Sequence, residues 1–335
     1  MRQWFRDCYH TLRFSAFGAT ALLPLTGAAA AEAQLTNRHA LGLLGVAAAF
    51  HGFAYIHNDL CDLAVDRSQP LRAAYPLVRG TLDVHTARLL SLGSLALAYV
   101  GDALVGAPQR TAARRQRLTM AWACLAIYNH WGKRCPWPPL TDGVQALGWA
   151  ALLAYGAATT GQADPPLLPL LLAYEIVLIL QVNGIHGALR DLANDAACGA
   201  RTTALWLGAR PQAHGGFAPT PALAAYALSL QAAMTILALS ALARLPPAQR
   251  PTATLGVTTI TSLTLALFAF AARRHPRNPP AVGMLHLILM LSPPLALVAP
   301  GMPTGPRLLL LLAHSLPLLA NGMTYDALRW LGYCR

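Results

Sequence analysis

Five aspartates of this chain stand in two short groups whose spacing suits the holding of a cation. The first group lies in HNDLCDLAVDR (57–67) and the second in RDLANDAACGARTTALWLG (190–208). On a helix, Asp59, Asp62 and Asp66 fall at i, i+3 and i+7, so they share one face and form an anionic stripe. Asn58 flanks the stripe as a neutral oxygen donor, and Tyr55, one turn earlier, extends it toward the preceding apolar segment. Asp191 and Asp195 repeat the arrangement at i, i+4. A single aspartate at a helix end is an ordinary solvated residue. Two stripes holding five of the chain's 13 acidic residues are different, because crowded like charges repel and call for a cation. Hard oxygen donors favour Mg²⁺, which shares its shell between carboxylates and phosphate oxygens. No D-x-D-x-D-G loop of the calcium type accompanies them. The expected metal ligands are Asn58, Asp59, Asp62, Asp66, Asp191 and Asp195.

Basic residues follow each group: Arg72 and Arg79 after the first, Lys133 and Arg134 between the two, Arg190 and Arg201 around the second. Cations beside an anionic metal site suit a ligand carrying several phosphates, which guanidinium forks grip well.

These residues must be positioned by a membrane bundle. The 335-residue chain is 55% hydrophobic and 11% charged, with mean hydropathy +0.43, a composition typical of membrane proteins. About 20 apolar helical residues cross a bilayer. Runs of that kind are read at 14–33, 38–57, 85–105, 117–131, 143–160, 166–189, 221–243, 252–272 and 281–299, with a tenth piece at 306–320 as a final span or re-entrant tail. They lack the alternation of barrel strands, which leaves an all-α polytopic fold. The chain is expected to be a single transmembrane helical domain over 1–335, with Asp-rich loops at 58–84 and 190–212. The two aspartate groups leave the membrane on the same side, because an even number of spans separates them.

The first 33 residues imitate a signal peptide, with a basic head, an apolar middle and small residues near an A-x-A-like site. The head is long for that role and further spans follow, so this segment is read as helix one. The net charge of +12 would suggest nucleic acid in a soluble domain; here the positive-inside rule explains it and nucleic acid is excluded as a partner. Most basic residues, including Arg274, Arg277, Arg329 and Arg335, fall on the aspartate side, which orients that side toward the cytosol. The segment QRTAARRQR (109–117) breaks the rule by landing on the other side. The six cysteines show no Cys-x-x-Cys pair and no His/Cys metal spacing, and they read as small apolar fillers.

The two groups resemble the motifs of the UbiA superfamily of intramembrane prenyltransferases. Asn58, Asp59, Asp62 and Asp66 match N-D-x-x-D-x-x-x-D. Asp191, Asp195, Gly199, Arg201, Thr202, Leu207 and Gly208 match the second motif, and Tyr128 and Lys133 match a Tyr-then-Lys segment between them. The resemblance implies nine transmembrane helices around a central cavity, with Mg²⁺ at each motif holding the diphosphate of an isoprenoid substrate. It casts Asp59, Asp62, Asp191, Asp195, Tyr128 and Lys133 as catalytic, and Asn58, Arg72, Arg79, Lys133 and Arg201 as contacts of the diphosphate. One departure stands out: members acting on aromatic acceptors carry Arg-Pro-Leu where this chain has YPLVRG, with Tyr75 before Pro76. Arg79 is the candidate to supply the missing charge. Asn194 also occupies a position where the family often has Gly.

The expected chemistry is loss of a Mg²⁺-bound diphosphate to leave an allylic cation, sheltered from water and cradled by aromatic faces. Phe53, Tyr55, Trp122, Tyr128, Trp149 and Tyr174 are candidates for that cradle. Attack by an aromatic or other small-molecule acceptor makes the protein a prenyltransferase; attack by the substrate's own double bond makes it a terpene cyclase. A transporter using the aspartates as an ion path is the remote third reading, because transporter charges sit near mid-membrane. The expected location is an integral multi-pass membrane protein, in the cytoplasmic membrane if bacterial, surrounded by lipid.

Overall fold

The computed structural model describes residues 2–31, 34–69, 72–106, 108–163, 165–213, 216–273 and 279–323. The basic residues Arg274, Arg277, Arg329 and Arg335 lie outside these. The chain is an integral multi-pass helical membrane protein. Its long helices are α2 (Phe14–Ala31), α3 (Asn37–Asp66), α5 (Val84–Val105), α6 (Thr111–Trp131), α7 (Pro138–Thr159), α8 (Leu168–Gln181), α12 (Pro221–Ala241), α13 (Arg250–Arg273), α14 (Pro279–Val298) and α15 (Thr304–Met323). An amphipathic α1 (Arg2–Thr11) precedes them, and the short α4 (Pro76–Arg79), α9 (Ala188–Arg190), α10 (Leu192–Ala197) and α11 (Thr203–Trp206) stand between them. A hairpin of β1 (Arg210–Pro211) and β2 (Phe217–Ala218) links α11 to α12.

Seven helical segments are long and apolar enough to cross a membrane, among them the continuous stretch Leu168–Arg190. Helices α6, α7 and α15 are of similar length and complete the bundle, so the described residues hold ten long helices rather than nine. The piece at 306–320 forms the helix α15, packed along α2. Helix α2 is itself central, packed on α7, α15 and α3, and most of its side chains from Gly18 to Ala28 are buried. Its crossing with α7 depends on two glycines. A Cβ at Gly27 would lie 1.9 Å from the Leu153 carbonyl oxygen, and one at Gly156 would lie 2.0 Å from that of Pro24. Small residues permit this approach where lipid offers no hydrophobic drive for association.

Helix α3 corrects the expected loop at 58–84. Its 30 residues, capped at the start by Thr36, would extend about 45 Å, against a hydrocarbon core of about 30 Å. Nothing from His57 to Asp66 breaks a helix, so the first aspartate group rides on the last turns of α3 as they leave the apolar layer. The 190–212 segment likewise contains α10, α11 and the start of the hairpin. Helix α7 begins at Pro138, earlier than the sequence reading, with prolines at its first positions where no backbone donor is needed. Asp142 is thereby helical and buried.

Candidate active site

The end of α3, the end of α6 and the α9–α10 segment meet at one end of the bundle. Three contacts tie the two aspartate groups together. Gln69 donates to Asp191 Oδ1 (2.9 Å), Ser68 Oγ donates to Asn194 Oδ1 (3.2 Å), and Asn194 Nδ2 donates to the Val65 carbonyl (3.5 Å). Asn194, where the family often has Gly, is thus a bridge between the motifs. Gly199, at φ 66°, turns the chain just after α10 in a conformation that L side chains rarely adopt.

Lys133 stands between the groups. Its ammonium donates to Asp195 Oδ1 at 3.1 Å and lies 3.8 Å from Asp62 Oδ2. Burial works against the Lys133 charge, but Asp62 and Asp195 outweigh it and hold its pKa above the ordinary lysine value. Burial pushes the Asp195 carboxyl up, with Lys133 opposing. At Asp191 burial also acts upward, yet the bidentate hydrogen bonds from Arg190 (2.9 and 2.6 Å) and the bond from Gln69 keep this carboxyl below the usual range. Burial prevails at Asp195 and the hydrogen-bonding partners prevail at Asp191, so two neighbouring carboxylates shift in opposite directions.

Asp59 of the first group is met by a residue that the sequence did not single out. Arg13, at the joint of α1 and α2, forms an ion pair with Asp59 and donates to Asn58 Oδ1 (3.2 Å). Burial opposes its charge, and Asp59 with the neighbouring Tyr75, Tyr55 and Asp66 reverses that and raises its pKa. Its backbone has φ 41°, the left-handed region that a non-glycine residue seldom occupies. Such strain clusters at functional positions. Arg72 lies 3.9 Å from Asp66. Between these guanidiniums stands Tyr75, whose ring centroid is 4.6 Å from Arg72 and 5.9 Å from Arg13, while Tyr55 faces Arg13 at 5.1 Å. Tyr75 therefore acts as a cation–π platform.

Arg79 is turned away from the aspartates, donating to Asp7 of α1 (2.7 Å) and to Thr81 (3.0 Å). Arg201 is exposed and contributes its backbone N–H, which donates to the Lys133 carbonyl (2.9 Å) and anchors that lysine's loop. Tyr128 sits deeper, in a network absent from the sequence reading: Asn183 Nδ2 donates to Tyr128 Oη (2.8 Å) and to Asp142 Oδ1 (2.5 Å), and Thr203 donates to the other Asp142 oxygen. Asn183 belongs to a π-helical turn, Val182–Gly187, between α8 and α9; such turns recur at functional sites. The available signal for this network was an acidic residue within an otherwise apolar helix. Arg13 had none, since its partner lies 46 residues away.

Several aromatic candidates are engaged in packing. Trp149 meets Phe50 edge-on, Tyr174 donates to the Met290 carbonyl (2.7 Å), and Trp122 donates to Tyr99 (2.7 Å). Tyr55, beside Asp59 and Arg13, adjoins the charged cluster.

Residues 19–288 match the model of the UbiA prenyltransferase family. The chain belongs to this family. Solved structures agree on the fold. A digeranylgeranylglyceryl phosphate synthase superposes with TM-score 0.64 at 14% identity, covering 90% of this chain and 99% of that one. A UbiA homologue from Archaeoglobus fulgidus bound to DMAPP and Mg²⁺ gives 0.64 at 19%, covering 88% and 99%. An apo homologue from Aeropyrum pernix K1 gives 0.61 at 18%, covering 86% and 97%. Comparison of the sequence with curated proteins gives no match.

Proposed function

We propose that this UbiA-family protein is a Mg²⁺-dependent intramembrane prenyltransferase that ionises an isoprenoid diphosphate and passes the prenyl group to a small-molecule acceptor. The observation that carries the reading is the pairing at the cleft: five carboxylates from two motifs, each already matched by a lysine or arginine. Such a cluster is complementary to a polyanion arriving with its own divalent cations. The A. fulgidus homologue's binding of DMAPP, and of GPP, with Mg²⁺ supports the same substrate class here.

The donor set fits Mg²⁺, being carboxylate and amide oxygen throughout. Asn58, Asp59, Asp62 and Asp66 would hold it on one side of the cleft, and Asp191 and Asp195 on the other. Bound Mg²⁺ supplies Lewis-acid neutralisation of the charge that develops on the departing diphosphate. Arg13, Arg72 and Lys133, which now neutralise aspartates, are the donors free to turn their charge-assisted hydrogen bonds onto phosphate oxygens. Tyr75 and Tyr55 hold the guanidiniums in plane during that exchange. Tyr128, held by Asn183, which also bonds Asp142, would keep the floor of the cleft rigid. The excess of basic residues on this side supports a cytosolic orientation of the cleft. The chain works as one transmembrane domain, with lipid around it.

The terpene cyclase reading drew on Tyr75 in place of arginine. That ring is occupied by two guanidiniums, which removes the reason to prefer it. The deciding experiment is incubation of purified protein with Mg²⁺ and prenyl diphosphates of several lengths, without acceptor. Intact substrate supports transfer; a cyclic hydrocarbon or terpene alcohol would assign a cyclase instead.

A further inference from the structure

One cluster of side chains takes no part in the cleft. His57 and Cys61 stand at i and i+4 on α3 and so share a face, and His130 of α6 reaches that face. Cys61 Sγ lies 4.0 Å from the ring nitrogens of His57 and 3.9 Å from His130 Nδ1. One ligand atom from each residue falls within 4.8 Å of the other two. Cys61, which read as an apolar filler in the sequence, stands here in a His-x-x-x-Cys pair completed by a histidine 69 residues later. We propose that these three residues form a binding site for a transition-metal ion of the Zn²⁺ class, distinct from the oxygen ligands of the aspartate cleft.

Three observations support this. The donors are nitrogen and sulfur, which select borderline and soft metals, whereas the cleft is all oxygen and selects Mg²⁺. The spacing is close to what the ion needs. With Zn–S about 2.3 Å and Zn–N about 2.0–2.1 Å in tetrahedral geometry, neighbouring ligand atoms come to about 3.3–3.6 Å, so the sulfur–nitrogen distances must shorten by about half an ångström and the two histidine nitrogens must close by up to about 1.5 Å through a turn of the rings. The surroundings also suit a ligating histidine. Phe53 stacks on the His57 ring at 5.3 Å and 18°, fixing its plane, and the Asn129 amide lies 3.0 Å from His57 Nδ1.

His57 and Cys61 are half-buried and His130 is exposed, which leaves an entry path and a fourth position for water. The neighbouring Trp131 and Trp137 are 59% and 68% exposed, as expected of rings at a membrane–water boundary. An ion here would clamp α3 to α6, the two helices that bring Asp62 and Lys133 together.

The test uses full-length, untagged protein, stripped with chelator and titrated with Co²⁺ alone, then with Zn²⁺. One equivalent of Co²⁺ per chain should give a thiolate-to-metal charge-transfer absorption, which Zn²⁺ removes by displacement. The band should vanish in Cys61→Ser, survive in Asp191→Asn, and require at least tenfold more Co²⁺ in His130→Ala. Because His130 is exposed, its variant keeps the fold and carries the test if Cys61→Ser does not fold. Absence of a thiolate band in the wild type, its persistence in folded Cys61→Ser, or undiminished affinity in His130→Ala would each overturn the site.

Discussion

At the far end of α5 and α6, Asp102 is completely buried between Arg114 and Arg115 (3.5 Å), with Arg114 itself 2% exposed. At the near end, Asp59, Asp62, Asp66, Asp191 and Asp195 face Arg13, Arg72, Arg190 and Lys133. Both ends set carboxylates against cations, but their charge balance is opposite. The far end has more guanidinium than carboxylate, and its spare donors are taken up by backbone: Arg110 donates to the Gln162 carbonyl and Arg117 to that of Ala154 (3.0 Å). This accounts for the basic 109–117 segment that broke the positive-inside pattern, since its arginines hold helix ends rather than signal orientation. The near end has more carboxylate than cation, and Lys133 is shared between two of them. An ion pair closed on itself is structural; a cluster with carboxylate to spare is built to take a ligand.

The comparison breaks most visibly at Asp62 and Asp191. Alanine at either should lower diphosphate release by more than about a hundredfold, as loss of an electrostatic stabiliser does. Thermal unfolding in detergent should stay level or rise, because like-charge repulsion is relieved. A folded variant with full turnover would remove that residue from the site. Excess chelator should likewise abolish release, with Mn²⁺ restoring it.

The far end should respond in the opposite way. Asp102→Ala leaves the buried Arg114 without its carboxylate, and breaking such a pair costs about 3–5 kcal/mol. The unfolding midpoint should fall steeply while turnover of the remaining folded protein stays near wild type. A variant that unfolds normally but loses activity would make Asp102 functional and dissolve the contrast.

Arg13 sharpens the near end. Its alanine variant should weaken use of the prenyl diphosphate by about 1.5–3 kcal/mol, the size of a hydrogen bond to a charged group, read as a roughly tenfold to hundredfold drop in kcat/KM. Activity at or above wild type would reduce Arg13 to a counter-ion that the substrate displaces. The smallest effect is expected at Arg79, whose pair with Asp7 is partly exposed at 33% and 25%. Exposed pairs contribute about 0–1 kcal/mol, so Arg79→Ala should stay within a few-fold of wild type. A tenfold or larger loss of kcat/KM would return Arg79 to the diphosphate.

The sequence by itself determined the class, the two motifs and their common side. Hydropathy is summed over about 20 residues, and the aspartate spacings act within two helical turns, so both survive without knowledge of the fold. It also marked Lys133 as a site residue, because the segment between the motifs matched a known order; that Lys133 meets Asp62 and Asp195 together was decided by the fold. Tertiary structure alone decided which cation meets which carboxylate. Arg13, Arg79 and the arginines of 109–117 look alike as letters, yet one enters the cleft, one turns to Asp7 and the others tie the far end. Their partners are fixed by how α1, α3 and α5 pack, over separations of tens of residues at which the sequence carries no period. The same holds for Tyr128–Asn183–Asp142 and for His57–Cys61–His130, where half the pattern is local and the residue that completes it comes from another helix.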